Sequence, residues 1–82
     1  MPHVVVVGGD CTRFTAGATT FDVDADTVRR LISELDARYP GFGDYIDRRM
    51  AISIDGEIHQ DAGAVPLTPK SEVYLIPRIG GG

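Results

Sequence analysis

Near the start of the sequence, after Met1-Pro2, lies the run His3-Val4-Val5-Val6-Val7, which ends at Gly8-Gly9. The run is short, β-branched and apolar on both faces that a strand presents, which predicts a strand buried on both faces in the middle of a sheet. Farther along, the segment from Ala18 to Val23 alternates apolar and polar residues, as a half-buried strand does. The two strands are therefore expected to pair as a hairpin.

An amphipathic helix is predicted after this hairpin. The residues Asp24-Ala25-Asp26-Thr27 supply N-cap candidates, and their acidic groups suit the positive end of a helix dipole. Apolar residues then recur at helical spacing until Pro40-Gly41 ends the pattern. The apolar stripe consists of Val28, Leu31, Ile32, Leu35 and Tyr39. The segment from Phe42 to Arg48 has no clear period, and a loop with one helical turn is expected there.

Three more strands complete the pattern. The segment from Met50 to Ile54 alternates large apolar residues with smaller ones and predicts the third strand. Asp55-Gly56 is a strong type I′ turn signal, which folds the chain back through Glu57 to His59. The last strand is Glu72 to Ile76, closed by Pro77. The predicted order is β-β-α-β-β-β.

Two hairpins that flank one amphipathic helix leave few arrangements. The helix packs its apolar stripe on one face of a mixed sheet of four to five strands, in which the first and last strands are central and parallel. The predicted class is therefore α+β, and the predicted architecture is the β-grasp, or ubiquitin-like roll, with one main helix. Residues 1–77 are expected to form this domain, and residues 78–82 a flexible, glycine-rich tail.

Length and composition narrow the class of protein. The chain has 82 residues, of which 43% are hydrophobic and 24% charged, as expected for one globular domain. The longest apolar run, Val4 to Val7, is far shorter than the about 20 residues of a membrane span or the apolar part of a secretory signal. Cys11 is the single cysteine, which fits a reducing compartment. A cytoplasmic protein without membrane contact is expected.

The charged and metal-binding residues argue against two further classes. The formal net charge is −4, Lys70 is the only lysine and the arginines are spread along the sequence, so no nucleic-acid partner is expected. This net charge is compatible with docking on basic surfaces. The candidate metal ligands His3, Cys11 and His59 share no metal-site spacing, and no metal is expected to bind this chain.

A β-grasp domain of this size that ends in Gly-Gly resembles the MoaD/ThiS family of sulfur-carrier proteins in molybdopterin and thiamine biosynthesis. The resemblance covers nearly the whole chain. Its specific part is the strand order combined with the ending Pro77 to Gly82, of the form Pro-x-x-small-Gly-Gly. Weaker matches are the turn with Arg13, Ala16 and Gly17, the helix opening Thr27-Val28-Arg29-Arg30-Leu31, and the turn and strand from Leu67 to Pro77.

The resemblance implies chemistry at the last residue and no enzyme activity of the chain alone. Gly82 would be adenylated and converted to a thiocarboxylate, and the protein would act as co-substrate and small subunit of molybdopterin synthase, a sulfurtransferase. Arg78, Ile79, Gly80 and Gly81 would thread into a partner, with Tyr74 and Ile76 as a docking patch. Glycine suits this task because it has no Cβ and passes through narrow channels.

The resemblance also implies the partners. These are an E1-like adenylating enzyme of the MoeB/ThiF type, a persulfide protein that donates sulfur, and the molybdopterin synthase large subunit or another sulfur acceptor. ATP and Mg²⁺ would be used by the adenylating partner, and no cofactor would be bound by this chain.

Three alternatives stay open at this point. The carrier could serve thiamine thiazole or cysteine synthesis instead of molybdopterin. It could be a protein modifier that joins Gly82 to lysines of other proteins. It could also be a plain β-grasp binding domain with an inert tail. Neither Cys11 nor the Gly8-Gly9 loop receives a role from the sequence.

Overall fold

The computed structural model of the protein describes residues 1–8, 10–59 and 62–78. Its strands and helices follow the predicted order, with one helix added. In chain order they are β1 (His3–Val6), β2 (Thr20–Asp22), α1 (Val28–Arg38), α2 (Phe42–Arg49), β3 (Met50–Ile54), β4 (Glu57–His59) and β5 (Glu72–Pro77). Single turns of 3-10 helix occur at Asp10–Arg13 and Ala62–Ala64.

The strands form one mixed sheet in the order β2-β1-β5-β3-β4. The first and last strands of the chain are neighbours and run parallel, with Val4 beside Val73 and Val6 beside Leu75. The other neighbouring pairs are antiparallel. At the β3–β4 turn, Asp55 and Gly56 both have positive φ, of 51° and 89°, as a type I′ turn requires. The predicted β-grasp is confirmed.

Helix α1 covers one face of this sheet, as its apolar stripe predicts. Thr27 is extended and its side chain accepts the backbone N–H of Arg30 at 3.2 Å, so it is the N-cap among the predicted candidates. Val28, Leu31 and Leu35 are fully buried against the sheet. The Tyr39 N–H donates to the Leu35 carbonyl at 2.8 Å and closes the last turn.

The expectation of a loop with one helical turn after Pro40 is wrong, because this segment forms the eight-residue helix α2. A side chain of α1 starts the helix: the Asp36 carboxylate accepts the N–H groups of Gly41 and Gly43 at 3.1 and 3.0 Å. Phe42 and Ile46 are then fully buried beside α1. The sequence hid this helix because its capping group comes from another element and its apolar face is only two residues long.

Both helices lie on the same side of the sheet. The inward residues of the strands, among them Val4, Val6, Val73 and Leu75, form the core with the buried residues of α1 and α2. The prediction that the opening run is buried on both faces is therefore wrong. Val5 is only half-buried and Val7 is exposed, because none of the described helices lies over that side of the sheet.

Candidate functional site

The chain leaves the sheet beside the junction of α2 and β3. Pro77, the last residue of β5, pairs with Met50, the first residue of β3. The N–H of Arg78 donates to the Arg49 carbonyl at 3.0 Å, and Arg78 Nε donates to the Met50 carbonyl at 3.1 Å. Arg78 is thus anchored by its backbone and by its side chain, and the direction of departure is set by these contacts.

The loop after β1 packs against Pro77, at the end of β5. Because β1 and β5 are parallel, their carboxyl ends meet at one edge of the sheet. Gly8 has a φ of 105°, and a Cβ built on it would lie only 2.6 Å from Pro77 Cγ. A side chain at this position is excluded by the contact, so Gly8 lets the backbone of this loop pack against the proline ring.

The predicted site residues fall into two groups. Ile79, Gly80, Gly81 and Gly82 lie outside the described residues, so their roles in threading and sulfur transfer stay predictions. Arg78, Tyr74 and Ile76 lie on or directly after β5, at its carboxyl half.

Tyr74 and Ile76 point to the side of the sheet that carries no helix. Across this side, Tyr74 lies between Val5 of β1 and Ser53 of β3, and Ser53 is followed by Ile58 of β4. Ile76 lies beside Ala51, one step closer to the point of departure. We call Val5, Val7, Ile58, Tyr74 and Ile76 the open sheet face.

The open sheet face is unusually apolar for a surface. The exposed fraction is 38% for Tyr74, 41% for Val7 and 69% for Ile58, and Met1 is the other large hydrophobic residue exposed in the described part of the chain. Contiguous exposed apolar residues of this kind mark contact surfaces for other proteins. The sequence indicated Tyr74 and Ile76 but missed Ile58 and Val7, because only the sheet register brings these residues together.

The described part of the chain offers neither a metal site nor a membrane span. No group of three or more His, Cys, Asp or Glu side chains lies close enough to hold a metal ion in residues 1–8, 10–59 and 62–78. The helices found there are all too short or too polar to cross a bilayer.

Comparison with known proteins places the chain in a family. The model of the ThiS family matches residues 9–82, nearly the whole chain and including the closing glycines. The chain belongs to the ThiS family. This confirms the resemblance to the ubiquitin-like sulfur carriers of the MoaD/ThiS group, and members of the ThiS family are small protein substrates rather than enzymes on their own.

Solved structures show the same fold. The Mycobacterium tuberculosis CysO structure, described as an antigen, has a TM-score of 0.84 at 19% identity and covers 96% of this ThiS-family chain and 100% of its own. A chain of the Amycolatopsis orientalis BexX/CysO complex has a TM-score of 0.84 at 14% identity, with 100% of both chains covered. SAMP1 from Haloferax volcanii has a TM-score of 0.67 at 21% identity, covering 99% and 98%. Among curated protein sequences there is no match.

Proposed function

We propose that this ThiS-family protein is a sulfur carrier whose Gly82 carboxylate is activated and converted to a thiocarboxylate. The observation that carries the proposal is the family match, which runs through Gly82 and so includes the residues on which the chemistry depends. The β-grasp topology supports it, because β5 lies in the middle of the sheet and leads directly to the closing glycines.

The chemistry proceeds in three transfers. A carboxylate oxygen of Gly82 attacks the α-phosphorus of ATP in the partner, forming an acyl-adenylate and releasing pyrophosphate. The terminal sulfur of a persulfide attacks the Gly82 carbonyl carbon and AMP leaves, which gives an acyl disulfide. A second thiol then attacks the donor-side sulfur of that disulfide, so that the thiocarboxylate leaves with the electron pair of the S–S bond.

The chain contributes position rather than catalytic side chains. The contacts of Arg78 with Arg49 and Met50 fix the residue that precedes positions 79–82. Glycine at positions 80–82 presents no Cβ to a narrow channel. A fully extended chain spans at most about 3.3–3.6 Å per residue, so any four residues span at most about 14 Å.

The open sheet face is the proposed docking surface for the adenylating enzyme. A transient partner needs an apolar contact that it can cover and release, and Tyr74 and Ile58 provide the large exposed side chains for it. ATP and Mg²⁺ are used in the partner. The BexX/CysO complex is a case in which a protein with this fold is bound to another protein.

The sulfur acceptor is the finer part of the proposal. The large subunit of molybdopterin synthase is the acceptor that the resemblance implies, with which this chain forms the working enzyme as its small subunit. Enzymes of thiamine thiazole and cysteine synthesis use the same thiocarboxylate and are the competing acceptors. Reaction of the loaded carrier with each acceptor in turn, followed by analysis of the sulfur-containing product, distinguishes them.

Reconstitution tests the carrier function itself. The full chain is incubated with the adenylating enzyme of its source organism, ATP, Mg²⁺, a persulfide donor and a reducing thiol, and thiocarboxylate is detected by alkylation. We expect alkylated product from the wild type, and none from a chain that carries an alanine appended after Gly82. Product from the appended chain contradicts the proposal. Isopeptide-linked adducts in lysate would instead select the protein-modifier function.

A further inference from the structure

Acidic side chains lie at the end of the sheet opposite the point of departure. In the register of the sheet, His3 is flanked by Asp22 on one side and by Glu72 on the other. Asp55, after β3, reaches the same end, since its carboxylate accepts the Glu72 N–H at 2.9 Å. Two cations also lie near this end, Arg38, which donates to the Asp22 carbonyl at 3.3 Å, and Lys70, two residues before Glu72. The three carboxylates outnumber them, so the strands run from an acidic end to the end at which β5 ends.

Arginines lie at the other end. Arg78 is hydrogen-bonded to the backbone of Arg49, and Arg49 lines one groove together with Arg13, Tyr45 and Arg48. Arg13 ends the 3-10 turn after β1, Arg48 and Arg49 end α2, and Arg78 directly follows β5. We call Arg13, Arg48, Arg49 and Arg78 the root arginines.

The root arginines make local contacts, but only the charge of Arg48 is neutralised by an ion pair within the described residues. Arg13 lies over two aromatic rings, 5.4 Å from the centroid of Phe14 and 5.8 Å from that of Tyr45. Arg48 pairs with Asp44 at 3.1 Å, whereas Arg13, Arg49 and Arg78 form no ion pair with any described residue. Asp47 is the other described carboxylate of α2, and it lines a neighbouring groove with Arg78.

Helix chemistry explains only part of this cluster. Arg48 and Arg49 are in the last turn of α2, where cations are stabilised by the helix dipole. Arg13 and Arg78 belong to other elements, and that dipole gives no reason for them to lie at the same end. What the four share is the end of the sheet at which β5 ends, where Arg13, Arg48 and Arg49 line one groove and Arg78 is bonded to Arg49.

We propose that the root arginines contact an acidic surface on the adenylating enzyme. This surface surrounds the opening of the enzyme that admits residues 79–82. This inference rests on the proposed carrier function. The net charge of −4 is compatible with docking on basic surfaces, but the local charge at this end of the molecule favours an acidic surface. The opposite charges at the two ends of the sheet orient the carrier so that its arginine end approaches first.

Screening makes the local charge matter more than the net charge. Strand β5 has six residues, so the acidic and arginine ends are separated by about 20 Å at about 3.3 Å per residue. The Debye length is about 8 Å at physiological ionic strength. A partner that approaches the arginine end is therefore attracted by the root arginines while the distant carboxylates are screened.

A protein partner fits this end better than a nucleic acid. Asp44 and Asp47 lie among the arginines on α2 and would repel a phosphate backbone. An acidic protein surface interspersed with basic groups accommodates both signs.

Charge reversal with a matched control tests the inference. The double variant R48E/R49E is compared with R38E/K70E, which reverses two exposed charges near the acidic end and changes the net charge by the same amount. The readout is kcat/KM for the carrier in ATP–pyrophosphate exchange by the adenylating enzyme of the source organism, at low and high salt. Circular dichroism confirms folding, and R49Q serves as the milder variant if the double variant is unfolded.

We expect R48E/R49E to lower kcat/KM about tenfold or more at low salt, with the difference shrinking at high salt, and R38E/K70E to stay within about twofold. A loss that is equal at both salt concentrations, or no loss at all, overturns the inference while the carrier function stands. Absence of exchange with the wild type contradicts the carrier function and the inference with it. Loss of binding to a single-stranded RNA probe with unchanged exchange assigns the arginines to nucleic acid and also overturns it.

Discussion

Arg78 Nε donates a 3.1 Å hydrogen bond to the carbonyl oxygen of Met50. Met50 is the first residue of β3 and pairs with Pro77, the last residue of β5. With the backbone bond from Arg78 to Arg49, the hydrogen bond to Met50 fixes the last described residue to the junction of α2 and β3. Arg78, the residue that precedes positions 79–82, is therefore fixed to the body of the domain.

Replacement of Arg78 by alanine is expected to impair activation more than folding. The side chain is exposed, so the free energy of unfolding should fall by no more than about 1 kcal/mol. The kcat/KM for adenylation should fall several-fold, because the direction of departure is less constrained. Arg38→Ala is the matched control, since Arg38 is also exposed and donates to a backbone carbonyl, that of Asp22. Equal activity of the two variants would argue against a positioning role for Arg78.

Gly8→Ala is expected to destabilise the domain by about 1–3 kcal/mol, since a positive φ and the contact with Pro77 both oppose a Cβ. Gly17→Ala separates the two causes. Gly17 has a φ of 89° but no atom within 4 Å of the built Cβ, so it carries the backbone strain alone. Urea unfolding of both variants measures the difference. If Gly8→Ala costs no more than Gly17→Ala, the close packing on Pro77 has no energetic weight.

Tyr74→Glu is expected to weaken binding of the adenylating enzyme about tenfold or more while the domain stays folded. A carboxylate on the open sheet face would be desolvated in the complex without a partner. Ser33→Glu places the same charge on the exposed side of α1 and should leave affinity nearly unchanged. Isothermal titration calorimetry compares them, and equal affinities would exclude the open sheet face as the docking surface.

Asp36→Ala is expected to lower the free energy of unfolding by about 1–2 kcal/mol, because the N–H groups of Gly41 and Gly43 lose their acceptor at the start of α2. Asp47→Ala removes an exposed carboxylate from α2 and should change stability by less than about 0.5 kcal/mol. Thermal unfolding of the two variants gives the comparison. A small effect of Asp36→Ala would mean that burial of Phe42 and Ile46 alone maintains α2.

Local sequence signals predicted most of the fold. The stripe from Val28 to Tyr39 and the cap at Thr27 determine α1 through contacts within the helix itself. The turn at Asp55-Gly56 requires only its own backbone conformation. Such features are encoded over a few neighbouring residues, and the closing motif from Pro77 to Gly82 identified the family in the same way.

Features that depend on distant residues were not predictable in this way. Helix α2 begins on the side chain of Asp36, which belongs to α1. Val7 is exposed because both described helices, α1 and α2, pack on the other side of the sheet, and no local sequence pattern indicates which side they cover. The root arginines come from three separate parts of the sequence, at positions 13, 48–49 and 78, and only the parallel pairing of β1 with β5 and the position of α2 bring them to one end.

The central claim is that Gly82 carries the transferred sulfur. Its most direct test is the mass of the intact protein, and of its C-terminal peptide, after reaction with the adenylating enzyme, ATP, Mg²⁺, a persulfide donor and a reducing thiol. We predict a mass increase equal to replacement of one oxygen by one sulfur, localised by fragmentation to Gly82. An unchanged mass when the same enzyme demonstrably activates the carrier, or sulfur found on Cys11 instead, would contradict the account.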